Sequence, residues 1–444
     1  MANPVIGMFR IKELRERILF TFGMLVVFRI GAMFPIPGIN VTVLKNFFEM
    51  GSSGGGNPIV NYLDFFAGGA FSNFSVFMLG IMPYISMSII MQLLLIVFPS
   101  LKKISQEDGG RKRIQKWQRY GTVLVCLIQS FAVTQYAQVI NKQTPEPLLN
   151  IDMLSFTLIA MLTVTTGTIF LMWIGEQITK RGVGNGISLL IYAGIVARLP
   201  VAVIELFGLM RRNEINAVFV IVVLVMFVGI VALVVFEQQG QRKIPVNYAK
   251  RVVGRKMYGA QNTYIPFKIN PSGVIPVIFA SSILMFPLQI AQSLGGEGNW
   301  LTAVSNALNP QGLLYNILYV VLIVFFAYFY TQVTLNPIEI AKQIRENGGS
   351  IPGIRSEKIE EYLTKILNRI VLPGSLYLAF IAVTPTLIQL AFRIPASIAF
   401  LMGGTSLLIM VGVGLDTMKQ IEGLLKMHHH EGLVKRGKIR GRNL

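Results

Sequence analysis

Residues 215–236 read INAVFVIVVLVMFVGIVALVVF, a run without one ionisable side chain, with Arg211, Arg212 and Glu214 before it and Glu237 directly after. A helix rises about 1.5 Å per residue, so about 20 apolar residues carry it across the roughly 30 Å hydrocarbon core of a bilayer. This stretch meets that requirement by itself. Nine further apolar segments surround it, at residues 18–36, 74–98, 117–140, 151–174, 183–207, 272–291, 312–335, 370–392 and 394–418. Membrane barrels are built from weakly alternating segments of about ten residues, which these continuous runs do not resemble. The sequence therefore predicts an all-α polytopic membrane protein with ten transmembrane helices.

Composition agrees. Of the 444 residues, 53% are hydrophobic and only 14% charged, against about 25% charged in a soluble domain. The net charge of +19 admits two readings, a nucleic-acid surface or loops retained in the cytoplasm. Placement separates them. With the N-terminus inside, thirty-two of the forty Lys and Arg fall in cytoplasmic segments. Outer loops hold Lys45, Lys142, Arg198, Arg211, Arg212 and Arg393, while Arg29 and Arg119 lie within spans. Both termini are thus expected in the cytoplasm. Cys126 is the only cysteine, so no disulfide framework or thiolate metal site is expected. Residues 8–17 are charged and no small-residue cleavage site follows the first apolar run, so a cleaved leader is not expected.

Several segments depart from simple spanning. Gly51 to Pro58 reads GSSGGGNP, a flexible linker. Residues 59–71 read IVNYLDFFAGGAF, apolar but too short to cross, and interrupted by Gly68-Gly69. The residues alone allow a re-entrant element or an amphipathic outer loop. Non-helical backbone at membrane depth persists only inside protein or along a cavity, so the first reading implies a hollow centre. At the N-terminus Ile11, Leu14 and Ile18 share a helical face, with Lys12/Glu16 and Glu13/Arg17 as i,i+4 pairs, which predicts a short interfacial helix.

Little in the spans could carry chemistry. Arg29, Arg119, Glu176 and Asp416 lie within spans or near their cytoplasmic ends, but no series of Asp, Glu and His runs through the helices. This weighs against a proton-coupled solute transporter, which needs convergent polar groups at mid-membrane. It also weighs against an intramembrane protease, since His428, His429 and His430 are the only histidines and read as part of a solvated tail. The glycine-rich turn Arg181-Gly-Val-Gly-Asn-Gly-Ile-Ser188 has Ile187 where a dinucleotide fingerprint needs its third glycine, and no phosphate loop is present. No cofactor or metal is expected, and energy for any transport must come from a partner.

Two cytoplasmic loops are long enough to do more than connect. The loop at 237–270 carries seven basic residues and one acid, Glu237, interleaved with Tyr248, Tyr258 and Tyr264. Its run Asn247-Tyr-Ala-Lys-Arg-Val-Val-Gly-Arg-Lys256 suits a phosphate backbone or an acidic protein surface, although positive-inside enrichment alone would also place cations here. The loop at 336–369 contains Ile351-Pro-Gly-Ile-Arg355, a turn that would present Arg355 at its tip.

Taken in order, a set of motifs resembles the bacterial SecY family along nearly the whole chain. They are Phe28-Arg-Ile-Gly31 with Pro35-Ile-Pro-Gly38, Leu79-Gly-Ile-Met-Pro-Tyr-Ile-Ser86, Trp173-Ile-Gly-Glu-Gln-Ile-Thr179 with the glycine turn at 181–188, Val246-Asn-Tyr-Ala-Lys-Arg251, Gly273-Val-Ile-Pro-Val-Ile-Phe-Ala-Ser-Ser282, Pro352-Gly-Ile-Arg355 and Gly403-Gly-Thr-Ser-Leu-Leu-Ile409. The resemblance implies a channel that passes unfolded secretory polypeptides across the bacterial inner membrane and releases membrane helices sideways. Two pseudo-symmetric halves, residues 1–207 and 208–418, would close as a clamshell, followed by a basic cytoplasmic tail at 419–444. Ile81, Ile85, Ile191, Ile278 and Ile409 would form the pore ring. Residues 59–72, including Tyr62, Phe65, Gly68, Gly69 and Phe71, would form a plug. Ser86, Gln92, Thr122, Ser281, Ser282 and Phe286 would line a lateral gate between the second and third spans and the seventh and eighth. Pro276 and Pro287 would loosen the seventh span, or be ordinary membrane prolines. Lys250, Arg251, Arg255, Lys256 and Arg355 would dock the SecA ATPase motor or the ribosome. Relatives often carry Arg-Arg where this chain has Arg255-Lys256, and Lys lacks the bidentate fork. The remaining implied partners are the SecE and SecG subunits, signal sequences, nascent polypeptides and membrane lipid.

Overall fold

A computed structural model describes residues 11–54, 64, 67–212, 216–248, 251–253, 256–258, 262–294, 307–309, 312–392 and 404–436. The helices are α1 (Lys12–Gly31), α2 (Val41–Gly54), α3 (Met82–Val97), α4 (Pro99–Gln106), α5 (Gly110–Gln143), α6 (Met153–Arg181), α7 (Gly186–Arg211) and α8 (Ala217–Gln239). After a hairpin region come α9 (Ile275–Leu294), α10 (Leu313–Thr334), α11 (Pro337–Glu346), α12 (Ile359–Phe392) and α13 (Gly404–Arg436). Each of the ten apolar segments overlaps one of these helices. The helices present large apolar side chains outward, among them Leu154, Leu162, Ile204, Phe236 and Leu313, all more than two-thirds exposed. Outward apolar faces of this kind suit lipid and not water.

The boundaries differ from the sequence expectation in instructive ways. The predicted N-terminal interfacial helix is continuous with the first span, both lying in α1; its Lys12–Glu16 and Glu13–Arg17 pairs form at 4.0 and 2.9 Å. Residues 51–54, expected as linker, close the last turn of α2. The second span does not begin at Phe74. Residues 67–80 run through turns, and α3 starts only at Met82, with proline in its first turn. The cause is a bridge to the chain leaving α1: Ile36 N–H donates to Phe74 O at 2.8 Å and Val76 N–H to Phe34 O at 3.0 Å. Those amide groups are engaged outside any helix. Arg198, assigned to an outer loop, is inside α7. The tail from residue 419 continues α13 as helix to Arg436.

The chain forms two compact units. One consists of the described residues of Met1–Ile204, Gln292–Leu294 and Ile409–Leu444, the other of those in Glu205–Ala291 and Gly295–Leu408. In the first, α5 packs along α3 and α6, and α1 packs on α6. Its interior includes the fully buried Phe74, Ile140, Phe156 and Leu171. In the second, α10 packs along α12.

The second unit also holds a sheet that the all-α expectation did not include. Strands β1 (Gln241–Tyr248) and β4 (Asn262–Lys268) pair antiparallel, Ile244 opposite Ile265, and β1 continues onto β5 (Gly349–Ser350) through Asn247↔Ser350. Between them β2 (Arg251–Val253) and β3 (Lys256–Tyr258) form a small second ladder. Alternate β1 residues Ile244 and Val246 point inward, joining Phe267, Ala341, Ile344, Ile351, Ile359, Leu363 and Ile366 in one apolar core. The sheet is built from polar loop sequence outside the spans, so it leaves the membrane part all-helical.

Candidate functional site

The residues expected at the pore share one property. Ile81, Ile85, Ile191 and Ile278 are each no more than 8% exposed and Ile409 is fully buried. Burial is not general along these helices: Ile204 of α7, the helix that carries Ile191, is 71% exposed. Ile81 caps α3 with Ile85 one turn on, Ile191 sits in the second turn of α7, and Ile409 in the second turn of α13, all in the first unit. Ile278 belongs to α9 in the second unit.

The glycine turn before α7 is tied down by side chains from other helices. Thr21 Oγ1 accepts from Val183 N–H at 3.0 Å, Gln420 Oε1 from Gly184 N–H at 2.6 Å, and Thr179 Oγ1 from Gly186 N–H at 2.9 Å. This sets the start of α7, and with it Ile191. It bears out the reading of a turn and not a nucleotide fingerprint.

Of the segment expected to re-enter, Asp64 and residues 67–72 are described, and 67–72 run through turns in the first unit. Gly68 and Gly69 adopt φ of +66° and +91°, the left-handed region where a Cβ is penalised. A Cβ on Gly68 would lie 2.7 Å from Gly194 Cα of α7. Asp64 is buried at 7% exposure. Its backbone carbonyl accepts from Gly69 N–H at 2.9 Å and its Oδ1 from Ser72 N–H at 2.7 Å. Its other carboxylate oxygen pairs with Arg198 of α7, whose Nη2 also reaches Ser72 Oγ at 3.3 Å. From the other side Arg29 of α1 donates through Nη1 to Gly68 O at 2.7 Å. Phe71 and Phe74 close the turn against Tyr136, with ring centroids 5.9 and 6.3 Å away. Tyr62 and Phe65 lie outside the described residues.

Asp64, Arg29 and Arg198 were not singled out as a group by sequence. The signal existed: one acid in an otherwise apolar segment, and two arginines isolated in apolar spans. Lone opposite charges in such surroundings pair, because unpaired burial is costly. The same holds for Arg119 of α5 and Glu176 of α6, which form a bidentate pair at 2.8 and 2.7 Å.

The candidate gate polar groups bond mainly to their own helices. Thr122 Oγ1 donates to Gln118 O at 2.8 Å, and Ser281 and Ser282 both donate to Ile278 O at 2.9 and 2.8 Å. Gln92 keeps a buried Oε1 without a hydrogen-bond partner. Ser86 lies half-buried on α3, and Phe286 falls within α9.

The loops at 237–270 and 336–369, read separately from sequence, are one body, since β5 of the second loop extends the sheet of the first. Ile351 to Ile354 form a tight turn closed by Ile354 N–H donating to Ile351 O at 3.1 Å, with Gly353 at φ +80°. Pro then Gly at the central positions suits a type II turn. Arg355 follows, exposed, beside Lys358, Tyr362 and Lys365 around an open hollow of about 400 Å³. Arg251 and Lys256 fall in β2 and β3; Lys250 and Arg255 lie outside the described residues.

These features define a polytopic helical membrane protein with a turn held inside its first unit, buried aliphatic side chains at motif positions and one folded body built from two loops. The SecY family model matches residues 75–418. The chain is 43% identical to the protein translocase subunit SecY of Vibrio cholerae, over 97% of this chain and 96% of that one. It is 43% identical to the same subunit of Escherichia coli K12, also over 97% and 96%. Among solved structures it resembles a protein-conducting channel at TM-score 0.65, 19% identity and 92% of each chain. It also resembles Sec61 in the canine ribosome-channel complex from the endoplasmic reticulum, at TM-score 0.63, 18% identity and 92% of each chain. The chain belongs to the SecY family of protein-conducting channels, and its role is conduction and not catalysis.

Proposed function

We propose that this chain forms the pore of a protein translocase in the bacterial inner membrane, with both termini in the cytoplasm, passing unfolded secretory polypeptides across and releasing apolar segments into the lipid. The observation that supports the reading is that Ile81, Ile85, Ile191, Ile278 and Ile409, the five motif positions, are all buried. An apolar constriction dewets and so resists ion flow, yet flexible aliphatic side chains can close around a sliding chain of any sequence. Residues 59–72 act as the plug. The gate runs between the second and third spans on one side and the seventh and eighth on the other. Polar contacts between membrane helices contribute only about 0.6–2 kcal/mol each. A seam held by contacts that weak suits one that an apolar signal sequence must replace.

The body formed by the two cytoplasmic loops receives the SecA motor or the ribosome through Lys250, Arg251, Arg255, Lys256 and Arg355, and SecE and SecG complete the complex. The chain has no phosphate loop, so the driving energy comes from such a partner.

The test is photocrosslinking. A photoreactive residue is placed at Ile85 or Ile278, with one at the outward Leu376 of α12 as control, and a precursor is stalled part-way across. Crosslinks from both isoleucine positions and none from the control are expected. An engaged precursor that crosslinks at neither isoleucine would sink the pore assignment.

A further inference from the structure

The inward-folded turn is held by more than apolar packing. It carries the buried acid Asp64, and a cation from a different helix reaches it on each side. Arg198 of α7 pairs with the Asp64 carboxylate and contacts Ser72 Oγ at 3.3 Å. Arg29 of α1 donates to the Gly68 carbonyl at 2.7 Å. The two glycines let the backbone come close enough: a Cβ on Gly68 would stand 3.2 Å from Arg29 Nη1, and one on Gly69 would stand 3.4 Å from Arg198 Nε. The turn therefore lies between two guanidinium groups.

We propose that Asp64, Arg198 and Arg29 are a clasp that positions the plug, so that the resting seal of the channel depends on this charge pairing. The inference rests on the plug reading above. Moving the turn separates the nearly buried Asp64 carboxylate from Arg198 and frees the Arg29 contact to Gly68, and a buried charge without its partner is strongly disfavoured. Opening is thereby opposed until a translocating chain and the water around it provide other partners. Apolar packing of Phe71 and Phe74 on Tyr136 resists the same motion, but it lacks this dependence on a matched pair.

The experiment uses the complex as it purifies from its own membrane, reconstituted in liposomes, and reads resting ion leak. The variants are D64N, R198M, R29M, the double variant D64N/R198M, R198K, and a deletion of residues 59–72. The deletion reports on the plug reading by itself. If it leaves the leak at the level of the unmodified channel, the plug reading fails and the clasp with it. If it raises the leak, the clasp predicts that D64N and R198M each raise it about tenfold or more, because each removes one half of a buried pair. The double variant should leak no more than the worse single one, and R29M should raise the leak independently. R198K, which keeps the charge but loses the fork, should fall between R198M and the unmodified channel. A leaking deletion with silent single variants overturns the clasp. So does a double variant whose leak is the product of the two single effects. Should R198M fail to assemble, R198K and the double variant carry the same comparison.

Discussion

At Gly68 and Gly69 the backbone does what no other residue type would do cheaply. Both have positive φ, and Gly68 lies so close to α7 that a Cβ would meet Gly194 Cα at 2.7 Å. Gly68→Ala should cost at least about 1–2 kcal/mol from the left-handed backbone alone, with the contact adding to it. Gly69→Ala should cost less, because its Cβ would meet only Arg198 at 3.4 Å. Thermal unfolding midpoints of the two variants in detergent rank them, and equal shifts would refute the close approach. Arg119 and Glu176 raise a different point. Each is visible in sequence as a charge in a span, but 57 positions separate them, and only the packing of α5 on α6 identifies them as partners. Glu176→Gln should destabilise by about 1–3 kcal/mol, and Arg119→Met/Glu176→Met should recover part of that loss, since replacing both halves of a pair is milder than stranding one. A denaturant double-mutant cycle reads the coupling; additive losses would contradict it.

Among the elements, the sheet outside the spans is the one sequence reasoning left unseen. Residues 241–248 read QRKIPVNY. Only Ile244 and Val246 mark an inward face, and two apolar positions are too few to establish a strand period. The partner strand begins at Asn262 and the third strand at Gly349, distances over which local pattern is silent. The charge of the loop drew the functional reading, while its sparse apolar residues built the fold. Ile344, 3% exposed, joins the sheet to α11 and α12. Ile344→Ala should cost about 2–5 kcal/mol, and the loss should be shared. Hydrogen exchange should rise together in β1, β5 and the first turns of α12, with the membrane helices unchanged. Faster exchange confined to α11 would show that the loops are separate bodies after all. The long helices were far more legible, their ends less so. In α3 the start moved from Phe74 to Met82 because Phe34 and Ile36 capture the backbone of Phe74 and Val76, a contact between segments forty residues apart.

For the whole molecule the orientation can be tested directly. Cys126 is buried, so introduced cysteines report alone. Cysteines at Lys243 and at Glu357 should react only with reagent on the cytoplasmic side, and one at Lys142 only with reagent outside. Labelling of position 142 from the cytoplasm would reverse the topology. The asymmetry of Lys and Arg makes this prediction with no structural input, because the rule acts on each loop as it is synthesised.

What the sequence determined alone was the class of environment, the number of apolar segments and, through its motifs, the family. Each of these follows from a local free energy: a run such as 215–236 favours the bilayer whatever its neighbours do. Tertiary structure decided how Asp64 meets Arg198, how Arg119 meets Glu176, where the second span becomes helical, and that two loops share one sheet. Those outcomes depend on pairing groups far apart in the chain. In an apolar solvent a charge or a free amide must find some partner, and only the packed helices decide which one is within reach.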